Sequence, residues 1–101
     1  MDFERRINTL RVSSKSNPKH IAEVLCELLG QFGKANMRAV GAAAINQAVK
    51  AIAIASLRLV PSGGDIVCIP AFCDVVIDGQ TLSAIQFSVE VRWAEEIKLA
   101  A

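Results

Sequence analysis

Thr9-Leu10-Arg11-Val12-Ser13-Ser14-Lys15-Ser16-Asn17-Pro18-Lys19-His20-Ile21 changes its hydrophobic period part-way, and that change sets the fold class. Thr9 to Ser13 alternates polar and apolar residues, as a half-buried strand does. After Ser14, Asn17 is placed to cap a helix. Pro18 suits the first helical position, because the N–H that proline lacks goes unpaired there anyway. Ile21, Val24, Leu25, Leu28, Leu29 and Phe32 then fall on one stripe, with Lys19, Glu23, Glu27 and Gln31 opposite. Gly30 and Gly33 provide a left-handed end. A strand running into an amphipathic helix is the first half of a β-α-β unit.

Downstream, Met37-Arg38-Ala39-Val40 is short and extended, and Gly41 closes it. From Ala42 to about Val60 the chain is alanine-rich, helical and apolar nearly all the way round. Its polar residues are Asn46, Gln47, Lys50, Ser56 and Arg58. A helix with so narrow a polar edge cannot lie on a sheet with its other side in water. A chain this short offers little else to cover it, so a second copy is the expected cover, in a homodimer or larger homo-oligomer. Ala44, Ala48, Ala51, Ile52 and Ala55 are the residues expected at that interface.

Pro61-Ser62-Gly63-Gly64-Asp65 ends this helix, and Ile66-Val67-Cys68-Ile69 begins a strand. Pro70 within the extended run implies an edge position or a bulge. Phe72 to Ile77 resumes the strand, and Asp78-Gly79 signals a two-residue hairpin turn with φ > 0 at both positions. The return strand places Ile85, Phe87, Val89, Val91 and Trp93 on one face and Gln86, Ser88, Glu90 and Arg92 on the other. One face is therefore in the core and one in water. The order β-α-β-α-β-β predicts an α/β two-layer sandwich, a four-stranded mixed sheet with two helices on one face. A leader over 1–8, a domain over 9–93 and a tail over 94–101 complete the organisation.

With 101 residues, of which 52% are hydrophobic, the chain fits one globular domain and excludes a disordered one. Eleven basic and ten acidic residues give a net charge of +1, so polyanion binding requires a local patch. Lys50, Ser56 and Arg58 interrupt the most apolar stretch, arguing against a membrane span. The first residues have no signal-peptide h-region, which points to a cytoplasmic protein. Three cysteines without CxxC spacing argue against a disulfide scaffold or a zinc site. Cys26, Cys68 and Cys73 sit in apolar settings and read as small buried hydrophobes. The single histidine, His20, lies in a helix's first turn on a wet face without a partner for acid–base work. Asp65, Asp74 and Asp78 read as turn-shaping residues. No catalytic residue, metal site or cofactor is expected, and the chain reads as a non-enzyme.

Ser13-Ser14-Lys15-Ser16-Asn17-Pro18-Lys19 is the most informative stretch for function. It joins a strand to a helix N-terminus, where unpaired N–H groups and the helix dipole favour anions. Two lysines and three hydroxyls there suit a phosphate. Spacing alone leaves equally open a capping loop with incidental lysines.

Val40-Gly41-Ala42-Ala43-Ala44-Ile45-Asn46-Gln47-Ala48-Val49-Lys50-Ala51-Ile52-Ala53-Ile54-Ala55 closely resembles the signature of the stage V sporulation protein S family. Leu10 to Pro18 resembles it too, as does Pro61-Ser62-Gly63 through Cys68-Ile69-Pro70-Ala71-Phe72, Asp74 and Ile77-Asp78-Gly79. Two local departures are Ala43, where the family usually has Gly, and Ser56-Leu57, where it has an Arg-Gly pair. That family is similar to the Alba chromatin proteins, small β-α-β-α-β-β dimers that bind nucleic acid. The resemblance implies a bacterial, sporulation-related regulator that contacts DNA or RNA backbones as a dimer. Lys15 matches the Alba loop lysine, and Lys19, Arg11, Arg38 and Lys50 are the further expected phosphate contacts. The basic arm of Alba proteins is replaced by a turn carrying Asp74 and Asp78. A protein-interaction or scaffold module in development or division is the alternative.

Overall fold

The structure is a computed structural model and describes residues 9–93; the leader over 1–8 and the tail over 94–101 lie outside the described residues. The elements are β1 (Thr9–Val12), α1 (Pro18–Phe32), β2 (Lys34–Ala39), α2 (Ala42–Leu59), a 3-10 turn (Val60–Ser62), β3 (Gly64–Ile77) and β4 (Gln80–Trp93). One four-stranded sheet has the order β1-β2-β4-β3, with β1 parallel to β2 and the other two pairs antiparallel. This is the expected two-layer α/β sandwich.

Local chemistry accounts for most boundaries. Asn17 caps α1 by accepting a hydrogen bond from the Lys19 N–H at 2.9 Å, and Pro18 occupies the first turn. The Gly33 N–H closes the helix on the Leu29 carbonyl at 2.8 Å. Asp78 and Gly79, at φ 50° and 76°, make the tight turn between β3 and β4. Pro70 lies in β3, an edge strand, where one side of the backbone needs no ladder partner. β3 runs unbroken through it. β2 begins at Lys34, earlier than the expected start at Met37, because Lys34 and Ala35 pair with Glu90 and Val89 of β4.

Register fixes the core. Ala35, Met37 and Ala39 of β2 oppose Val89, Phe87 and Ile85 of β4, and Leu10 and Val12 of β1 extend the same face. Against it pack Ala22, Leu25, Leu28 and Leu29 of α1. Val24 and Phe32, expected on that stripe, lie at its exposed margins. Ala44, Ala48, Ala51 and Ala55 of α2 are buried as well, at 3%, 0%, 0% and 0% exposure within the single chain.

That burial corrects the expected interface. The small residues admit this chain's own α1 and sheet, not a second copy, and Ile52 packs half-buried against the same core. Helix pairs with alanine at the contact approach closely, which is how two helices fit over so narrow a sheet. What α2 leaves outside is a different strip, with Val49, Leu57 and Val60 exposed. A further correction concerns membranes. Ala42–Ser62 is long and apolar enough to cross a bilayer by length and mean hydropathy, 1.3, despite Lys50 and Arg58. Of that window 22% is buried in the single chain, with the alanine stripe in the core.

Candidate nucleic-acid interface

Because β1 and β2 are parallel neighbours, both strand-to-helix junctions lie at the same end of the sheet. The N-termini of α1 and α2 therefore open at that end, and neither helix has an acidic residue in its first turn. Their partial positive charges reinforce each other there.

The first junction is a braced turn. The Ser16 N–H donates to the Ser13 carbonyl at 3.1 Å, and the Ser13 N–H donates to Ser16 Oγ at 2.9 Å. The Lys15 N–H donates to Ser13 Oγ at 3.2 Å, and the Ser13 and Ser16 hydroxyls are 3.2 Å apart. Gln47 Nε2 of α2 donates to the Ser16 carbonyl at 2.9 Å and so ties this loop to the second junction. Two of the three hydroxyls expected to hold a phosphate are thus engaged in shaping the loop. What the turn presents outward is the exposed Lys15 side chain, followed by exposed Lys19 in the first turn of α1.

Arg11 and Arg38 face each other in register across β1 and β2, on the sheet face away from the helices. Arg38 Nε donates to Gln86 Oε1 at 2.9 Å, which sets the plane of its guanidinium. Arg11 has no hydrogen-bond or ion-pair partner among the described residues. Lys50 is exposed two turns into α2, on the periphery of this group. Arg11 and Arg38 thus lie on the sheet face away from the helices and Lys15 and Lys19 at the entrance of α1, all toward the same end of the sheet, with Lys50 farther along α2.

β3 and β4 are each fourteen residues long, whereas β2 pairs only with Ile85 to Glu90 of β4. The remainder projects as a two-stranded arm. It curls so that both edges of the sheet wall a single cleft of about 490 Å³, lined by residues 11–14 of the β1 end, Arg38, Val40 and residues 74–77 of the arm. Ala84 is buried on the concave side. Gln86 and the arm segment are the functional neighbours that sequence reasoning missed. Gln86 is legible as part of the polar face of β4, but the approach of the arm depends on sheet curvature.

The cysteines differ from expectation. Cys68 is exposed on the outer strand, and Cys26 and Cys73 are half-buried. Burial raises the Cys26 thiol above its ordinary value, opposed in part by the charge of Arg58. Among the described residues no group of three or more His, Cys, Asp or Glu side chains is arranged to hold a metal ion.

Residues 8–92 match the family model of stage V sporulation protein S. The chain belongs to that family. The match spans the whole fold from β1 into the last residues of β4 and supports a small sporulation-related protein. The family is one of small regulatory or developmental proteins rather than a known enzyme family.

Proposed function

We propose that the chain is an Alba-like nucleic-acid-binding regulator of the bacterial cytoplasm, contacting the phosphate backbone as a homodimer. The observation that carries this reading is the grouping of Arg11, Arg38, Lys15 and Lys19 at the end where both helix N-termini open. Lys15 is the central contact. Its backbone is fixed by Ser13 and its flexible ammonium is outside, so it reaches a phosphate from the direction the α1 dipole favours. Lys19, Arg11 and Arg38 extend the footprint, and Lys50 supplies an outer contact. The role is binding, in keeping with a family of small regulatory or developmental proteins.

The homodimer is supported by the outer strip of α2, where Val49, Leu57 and Val60 remain in water in the single chain. An exposed apolar strip of this kind marks an interaction surface. A two-fold pair presents the Lys15 loop twice.

A net charge of +1 implies binding that is weak, salt-sensitive and indifferent to sequence. Fluorescence anisotropy on duplex DNA and on RNA, at low and moderate salt, tests the reading. Binding that weakens steeply with salt supports it, and no binding at low salt refutes it. A second reading, a protein-interaction module, draws on the arm, where Phe72 is 84% exposed and Val76 72% beside Asp74 and Asp78. It takes over if neither nucleic acid binds.

A further inference from the structure

The cleft between the sheet edges is larger than a backbone phosphate requires. At about 490 Å³ it falls in the range of small-molecule sites, roughly 300–1,000 Å³. We infer that it binds a phosphate monoester of mononucleotide size, with the phosphate on Arg11 and Arg38 and the nucleoside against the arm. This inference does not rest on the nucleic-acid reading.

The anion is read from the two arginines. As register partners in neighbouring parallel strands their backbones are about 4.8 Å apart, and both side chains leave the same face. Arg38 is oriented by its bond to Gln86, which leaves its terminal nitrogens without a partner among the described residues. Arg11 has no partner among the described residues. Each guanidinium presents a fork that matches oxygen pairs, and two forks side by side match a dianion better than a single carboxylate. A phosphate monoester carries about −1.5 to −2 at neutral pH. Ser14 lines the same wall, at the mouth of the loop.

The body of the ligand is read from the opposite wall. Val75 and Ile77 of the arm, with Val40 beneath, offer aliphatic surface for a flat apolar ring. Asp74 alternates with them and turns its side chain to the other face of the strand, so the arm offers this cleft aliphatic carbon rather than charge. A wall without a cation takes a neutral body better than a second anionic group. A nucleoside has both features, a ring face for the aliphatic wall and no second charge. A fatty acid brings a single carboxylate to two guanidinium forks, and a dicarboxylate would place its second charge against an uncharged wall.

Isothermal titration of the full chain with adenosine 5′-monophosphate, adenosine, inorganic phosphate and hexanoate tests this. The monophosphate should bind, with adenosine and phosphate each at least tenfold weaker. Arg11→Gln and Arg38→Gln should each weaken it roughly tenfold or more, the loss of one charged hydrogen-bonded contact. Circular dichroism confirms that these variants fold, and Arg11 is exposed on an edge strand, so its loss leaves the core intact. His20→Ala, outside the cleft, should bind as the wild type does. No heat with the monophosphate at millimolar concentration, affinity unchanged in both arginine variants, or tighter binding of hexanoate would each overturn the inference. Duplex binding without nucleotide binding overturns it while leaving the proposed function standing. Nucleotide binding without duplex binding supports it while refuting that function.

Discussion

Ala51→Glu puts a carboxyl at a position with 0% exposure, between α2, α1 and the sheet. The site is lined by apolar side chains, so the introduced carboxyl finds no charge partner there. Burial of this kind lifts a glutamate pKa by roughly 3 units, and each unit is about 1.4 kcal/mol, so holding it neutral at pH 7 costs about 4 kcal/mol. Forcing the longer side chain into a filled core adds roughly 1–3 kcal/mol. The sum, about 5–7 kcal/mol, rivals the whole stability of a small domain, about 5–15 kcal/mol. Gln31→Glu, exposed on α1 and outside the α2 strip, should stay within about 0.5 kcal/mol of wild type. The pH dependence has a definite sign. The unfolded chain ionises the new carboxyl above its ordinary value of about 4.3, whereas the folded chain resists until the raised pKa. The penalty is therefore smallest in acid and grows as the pH rises through that window. Urea unfolding followed by circular dichroism, with sedimentation of the same samples, reads the result. A folded Ala51→Glu monomer within 1 kcal/mol of wild type would show that the alanine stripe lies between subunits after all, and would refute the packing described here.

Gly41 precedes α2 at φ 88° and ψ 156°, a region essentially closed to side-chain-bearing residues. A Cβ there meets nothing within 4 Å, so the roughly 1–3 kcal/mol loss expected for Gly41→Ala in urea unfolding is purely backbone strain. A loss below a few tenths of a kcal/mol would contradict that conformation. Maleimide should label exposed Cys68 before Cys26, and the pH curve for Cys26 should lie above that of a free peptide thiol, since burial raises it. Faster labelling of Cys26 would count against its placement. Gly64→Ala brings a Cβ to 3.0 Å from Trp93 Cζ3, so it should shift the emission of the single tryptophan and cost about 1 kcal/mol. Unchanged emission would mean that the contact is not made.

Elements whose signal is local were legible in the sequence. The alternation of β4, the Asn17-Pro18 cap and the Asp78-Gly79 turn each involve neighbours a few residues apart, and each appears where the pattern places it. The start of β2 was not legible, because Lys34, Ala35 and Asn36 carry little strand preference and are extended by pairing with β4. The partner of the alanine stripe was also hidden. Small residues at helical spacing show that another backbone comes close, but not whose. At the candidate site, the lysines and the strand-to-helix junctions could be read from the chain. The pairing of Arg11 with Arg38 needed the register, and the cleft needed the curl of the arm, neither of which a single sequence displays.

The proposed role of Lys15, on the braced junction loop, as the main phosphate contact is read from the salt dependence of DNA and RNA affinity for the wild-type chain and for Lys15→Ala. A two-fold dimer loses two contacts at once, so the slope of log K against log salt should shrink by roughly two units, about one per contact. Affinity should fall about equally on all sequences, because phosphate contacts carry no base information. His20→Ala, also exposed at the start of α1, should leave both quantities unchanged. Affinity and salt slope unaltered in Lys15→Ala would contradict the account.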